Sequence, residues 1–206
     1  MKNIQMDFLC RICGDRHSPL PLSFSVKAPQ AVLRVPAEQR NTRIVITRDQ
    51  CVIDGTSFFL RGRIPMPILD SDQTFIWGVW AEVSPKSFLA THQLWNVKGR
   101  ERQPAYKAWL DTELVSYNAT TLNLEIAVHT QPVGRRPHFE VLAAEHPLAL
   151  EQRAGVPLVR VEQIASVVWH ASDALKEHGF QPVGGASRDK DSVQQNAKAP
   201  AHGRKH

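Results

Sequence analysis

Hydrophobic and polar positions alternate most clearly between Thr74 and Val83. Phe75, Trp77, Val79 and Ala81 fall on one face, and Ile76, Trp80 and Glu82 on the other. Bulky apolar groups on both faces predict a central strand covered on both sides, and Gly78 between them predicts a close approach by another chain segment. Shorter β-branched or aromatic runs predict strands at Arg43 to Thr47, at Cys51 to Gly55 ending in the turn pair Asp54-Gly55, and at Ser57 to Ile68. In the last of these Gly62 predicts a bulge, and Pro65 and Pro67 predict the end of regular pairing. Leu122, Leu124, Ile126 and Val128 alternate within a half-buried strand over 121–133. The Val133 to Pro137 turn and a returning strand from Phe139 to Ala143 follow.

A period near 3.6 appears in four places. Ser84-Pro85 reads as an N-cap and first helical residue, opening a helix to Trp95 with Phe88, His92 and Trp95 on one stripe. Ala105 to Leu114 reads as helical on weaker signals. His146-Pro147 opens a short helix, Leu148 to Arg153, that stops at Gly155. Pro157 opens the best-defined helix, with Val161, Ile164, Ala165 and Val168 on one stripe, Leu175 extending it and Gly179 as a stop. Leu20 to Phe24 is extended but interrupted by Pro19 and Pro21, which suits an edge or lead-in, and Ala28 to Pro36 is irregular. The fold class is α+β: a mainly antiparallel sheet, a C-terminal amphipathic helix packed on it, and an N-terminal knuckle. Residues 1–180 form one domain. Residues 181–206, with almost no large apolar side chain, form a disordered basic tail.

Composition changes this picture little. The chain has 206 residues, enough for one core of ordinary size, and no apolar run long enough to cross a bilayer. The N-terminus carries no secretory apolar block, and three cysteines, two of them in a CxxC, suit a reducing compartment. The chain is therefore expected to be cytoplasmic. The net charge of +5 divides unevenly, with +3 in residues 181–206 and +2 in the first 180. A nearly neutral body argues against nucleic acid, whose phosphates favour a concentrated basic face.

The chemistry concentrates at Cys10-Arg-Ile-Cys-Gly-Asp-Arg-His17. Two thiols two residues apart can face one point, and Gly14 suits the tight turn between them and His17. Cys51, the one remaining cysteine, would close a structural Cys₃His zinc site of Cys10, Cys13, His17 and Cys51. The alternatives are an inert knuckle of small thiols or a redox pair, although Pro19 and Pro21 leave no helix after the motif as a thioredoxin-like pair requires. A second constellation joins His146 with Glu151 and Arg153. His129 stands mid-strand, and with Arg61, Arg63, Arg135 and Arg136 it could belong to an anion pocket. No phosphate loop, nucleophile elbow or HExxH motif occurs.

Taken together, Cys10 to Gly14 with His17, Leu20 to Phe24, Asp49 to Asp54, Phe58 to Gly62, Phe75 to Trp80 and His146 to Arg153 resemble the bacterial family of uncharacterised proteins known as domain of unknown function 2199, over about Cys10 to His170. The resemblance implies a single-domain cytoplasmic α+β protein and brings no activity. It implies the same residue types at Cys10, Cys13, His17 and Cys51. The chain departs from the family pattern around Tyr106 to Trp109 and Val115 to Tyr117. The expected function is a zinc-stabilised binding or interaction module whose partner is an unidentified protein or small molecule. The alternative is a small-molecule enzyme using His129, His146 and Glu151 in a cleft, with nucleic-acid binding a third and weaker reading.

Overall fold

A computed structural model describes residues 7–69 and 71–170 and the backbone of Gln181 and Pro182. The chain opens with a small hairpin, β1 (Phe8–Leu9) and β2 (Arg16–His17), that stands apart from the main sheet. The main sheet contains β3 (Ser23–Ser25), β4 (Ile44–Ile46), β5 (Gln50–Ile53), β6 (Ser57–Pro67), β7 (Thr74–Val83), β8 (Tyr106–Leu110), β9 (Glu125–His129), β10 (His138–Val141) and β11 (Gln181–Pro182). The helices are α1 (Arg40–Arg43), α2 (Pro85–Gln93), α3 (Pro147–Ala154) and α4 (Leu158–Trp169). All pairings in this sheet are antiparallel except β3 with β7 and β6 with β10.

The pairings β6–β7, β7–β8, β8–β9, β9–β10 and β10–β6 close a five-stranded ring. β6 and β7 are long enough to serve two neighbours each on their outer edges. The early part of β7 pairs with β3 and its late part with β8, while β6 pairs first with β5 and then with β10. Alternation sends Leu60, Ile64, Met66, Phe75, Trp77, Val79 and Ala81 to one face. Ile126, Val128, Phe139 and Val141 from β9 and β10 meet them there, all of them buried. Phe59, Trp80 and Cys51 are buried on the opposite face, where the Trp80 indole N–H donates to the carbonyl of Val26 at 3.1 Å. β7 is thus the doubly covered central strand its pattern predicts. Gly78 is indeed where another backbone comes close: a Cβ there would lie 2.7 Å from that of Ser25 in β3.

Three expectations are corrected. Gly62 forms no bulge, because the β6–β7 register runs unbroken from Phe58 opposite Val83 to Pro67 opposite Thr74. Its missing side chain makes room for the Phe139 ring, which a Cβ would meet at 2.2 Å. Pro65 and Pro67 do not end the pairing either. The N–H groups of Arg61 and Arg63 in the same phase of β6 point away from β7, to Asp49 and Pro137, so a proline in that phase removes no donor from the ladder. Residues 106–110 are a strand, not a helix. β8 sits between β7 and β9 with Ala108 and Leu110 buried and Lys107 and Trp109 exposed, a period of two that the neighbouring strands reward.

The helix caps follow the sequence. Ser84 Oγ accepts from the Ser87 N–H, and Pro85 stands in the first turn of α2. His146 Nδ1 accepts from the Leu148 N–H, and α3 ends at Gly155 with φ 82°. α4 buries Val161, Ile164, Ala165 and Val168 and ends at Trp169. Leu175 and Gly179 lie outside the described residues. So does the expected disordered tail, apart from Gln181 and Pro182, whose backbones pair with Ser25 and Phe24 of β3. Among the described residues no helix is long and apolar enough to cross a membrane.

Candidate metal centre

The hairpin of β1 and β2 turns through the CxxC. The Cys10 N–H donates to the Asp15 carbonyl at 2.8 Å and the Gly14 N–H to the Cys10 carbonyl at 3.0 Å, with Gly14 in the left-handed region at φ 77°. This folds Cys13 back toward His17, whose Nε2 lies 3.3 Å from the Cys13 sulfur. Phe8, directly opposite His17 in the hairpin, holds its imidazole from one side (5.5 Å between ring centroids), and Trp169 from the end of α4 holds it at 5.2 Å. The Arg11 N–H donates to Ser166 Oγ at 3.2 Å, tying the knuckle to α4 across 155 residues of sequence.

His170, the residue after α4, completes the group. One ligand atom from each of Cys10, Cys13, His17 and His170 lies within 4.8 Å of every other. Ligands of a tetrahedral zinc, at roughly 2.0–2.3 Å from the ion, stand about 3.3–3.8 Å apart, so a small contraction would bring all four onto one ion. Two thiols and two imidazoles are also the donor types that a structural zinc takes. The four residues are therefore placed to hold a metal ion. Burial disfavours the Cys10 thiolate, but the N–H groups of Cys13 and Ile12, with the Ser166 hydroxyl and the Cys13 thiol, outweigh it and bring this pKa down to about 6. Cys13 moves the other way. The Asp15 N–H favours its thiolate, but desolvation, the Cys10 sulfur and the Asp15 carboxylate together prevail and raise it.

Cys51 is not in the group. It pairs with Ile46 and Phe59 inside the sheet, fully buried, and burial followed by the Asp111 charge pushes its thiol up to about 12. Alternation turns its side chain to the face that carries Phe59, so it is a core residue. Sequence spacing had no means of finding His170, because its place in the group depends on where the end of α4 lands.

The second constellation is engaged in holding elements together. Glu151 accepts from the Tyr117 hydroxyl at 2.5 Å and from Arg160 Nε at 2.6 Å, and Arg160 also donates to the Ser116 carbonyl. Gln152 bridges the backbone of β10 at Phe139 and Val141, and Arg153 donates to the Ala144 carbonyl. His146 caps α3 through Nδ1. His129 is elsewhere, half-exposed and 2.8 Å from Glu140. Of the three residues proposed for catalysis, His146 and Glu151 both adjoin Tyr117, whose ring centroid lies 6.1 Å from that of His146, whereas His129 has a different partner in Glu140. Arg100 also escaped the sequence reading. It is 4% exposed and donates to the carbonyls of Trp95, Gln131, Pro132 and Arg135.

No curated protein and no solved structure matches this chain. A family profile matches residues 9–156, from the knuckle to the end of the α3 turn, which takes in Cys10, Cys13 and His17 and leaves α4 and His170 beyond it. By that match the chain belongs to the DUF2199 family, uncharacterised proteins conserved in bacteria.

Proposed function

We propose that Cys10, Cys13, His17 and His170 bind a zinc ion that staples the N-terminal hairpin to the end of α4, and that the stapled domain is a cytoplasmic binding module rather than a catalyst. The observation that carries this reading is the convergence of two thiols and two imidazoles from opposite ends of the described chain. Four protein ligands leave no open position for substrate, which is the arrangement of structural zinc. The engagement of Glu151 with both Tyr117 and Arg160 supports the non-catalytic part. The partner is a protein or small molecule, with neither membrane nor nucleic acid as the target.

The test is metal content per chain, measured on untagged, reduced protein for the wild type, Cys13→Ser, His170→Gln and Cys51→Ala. One zinc per chain is expected in the wild type and in Cys51→Ala. It should be lost or weakened in the other two, with a lower melting temperature. Metal-free wild type would sink the staple, and metal kept by His170→Gln but lost by Cys51→Ala would return Cys51 to the site.

A further inference from the structure

We infer that the cleft between α2 and the start of β8 binds a small monocarboxylate with an apolar body, an aromatic or medium-chain carboxylic acid. The inference names a ligand class for the binding module and rests on that reading, and it shares no residue with the metal group.

α2 presents two stripes. Phe88 and His92, four residues apart, turn toward the sheet. There the Phe88 ring meets that of Phe58 at 5.0 Å between centroids, and His92 Nδ1 lies 3.2 Å from Gln50 Oε1. Ser87, Ala90, Thr91 and Leu94 recur at the i, i+3, i+4, i+7 spacing of a second face, yet α2 has no fully buried residue. This second face opens onto a cleft of about 420 Å³, with Pro104 and Ala105 on its other wall. Arg100 fixes that wall in place. The chain turns at Gly99 with φ 85°, and the guanidinium then donates to the carbonyls of Trp95, Gln131, Pro132 and Arg135. The volume falls at the lower end of the roughly 300–1,000 Å³ that small-molecule sites occupy, too small for a docked protein element.

The charged groups of the cleft have one sign. Lys86 and Arg100 line it, and no described carboxylate does. Arg100 is 4% exposed, and its hydrogen bonds go to neutral carbonyls, so the charge itself has no ion-paired counter-ion. Its fork is committed to the wall; what it lends the cleft is a positive field from a fixed position. Lys86 is exposed in the first turn of α2, pairs with no described carboxylate, and supplies the mobile cation. The Tyr106 hydroxyl and Thr91 Oγ1, which also line the cleft, stand 2.9 Å apart. Whichever of the two donates, the hydrogen of the other remains for a ligand. Burial raises the Tyr106 pKa against the opposing effects of Thr91 and Arg100, so the phenol keeps its proton at neutral pH. A carboxylate can take the Lys86 ammonium on one oxygen and this hydroxyl on the other, while its carbon body covers Ala90, Leu94 and Pro104. A phosphate dianion asks for more donors than these two.

The experiment titrates the full-length, metal-assayed protein with 4-phenylbutyrate, octanoate, neutral 4-phenylbutyramide, acetate and phenyl phosphate, followed by calorimetry and amide NMR shifts. Saturable binding of the larger acids is expected, with shifts over 86–94 and 99–106, and the stronger acid tells an aromatic from an aliphatic body. The amide lacks the charge and acetate lacks the body, so each should bind at least about fivefold more weakly. Lys86→Gln should weaken the acids roughly fivefold, the worth of one half-exposed ion pair, and leave the amide unchanged. Ala90→Phe alters an exposed position, so the fold is kept, and should abolish binding by filling the cleft. The site is overturned if neither acid binds saturably, if the amide binds as well as its acid, or if both variants bind like the wild type. Tighter binding of phenyl phosphate through Lys86 would overturn the carboxylate assignment. Chemical conversion of either acid would keep the site and overturn the non-catalytic reading, whereas zinc-free protein that still binds the acids would overturn only the staple.

Discussion

Gly62 and Phe139 meet where the ring of strands closes. Adding a methyl group at Gly62 puts a Cβ into the Phe139 ring, so Gly62→Ala should destabilise the protein by about 1–3 kcal/mol. Phe139→Leu should recover part of that loss in the double variant, as coupled neighbours do and independent sites do not. Arg100 makes a different kind of contribution. A planar fork reaches four carbonyls from two chain segments, a geometry that an ammonium cannot reproduce. Arg100→Lys should therefore cost about 3 kcal/mol in urea unfolding, since buried acceptors lose their charged donor.

Among the elements, the β1–β2 hairpin depends most on tertiary partners. It pairs with no strand of the main sheet, and its described ties run to the end of α4 through Ser166, Trp169 and His170. If zinc joins the two, a chelator should speed amide exchange at Phe8 to His17 and in the last turn of α4. β6 and β7, with the longest ladder, should stay protected. Exchange quickening equally in β7 would mean that the hairpin is integral to the core. The segment 146–153 shows why a short stretch can carry a specific sequence: His146 caps α3, Glu151 holds Tyr117 and Arg160, and Gln152 satisfies β10 backbone.

For the whole molecule, the titration of His138 bears on stability near neutrality. Burial, then Arg63, His129 and Arg135, hold the His138 pKa below its ordinary 6.5. A histidine with a lowered folded pKa takes up protons more readily when unfolded. Its contribution is complete above about pH 7 and declines as pH falls through 6.5 toward the folded value. His138→Gln should thus make the melting temperature less sensitive to pH as pH falls from about 7 through 6.5. Comparison with the wild type in the same buffers separates this from the other titrating groups. An unchanged pH slope would remove His138 from the account.

The amino-acid sequence by itself determined what depends on neighbours a few residues away. Alternation in 74–83 named the buried face of β7, Ser84-Pro85 and His146-Pro147 named two helix starts, and Gly155 named a stop. The grouping of the CxxC thiols with His17 was legible because these three residues fit within one turn of a hairpin. Tertiary structure decided what depends on packing between distant segments. The strand identity of 106–110 comes from lying between β7 and β9, since its own residues carry mixed propensities. Gly62 serves a ring that arrives from β10. The fourth residue of the metal group is His170 and not Cys51, because one faces the core from β5 while the other is delivered by the end of α4. A sequence period specifies which way a side chain points along its own element. What that side chain meets is decided only when the elements pack.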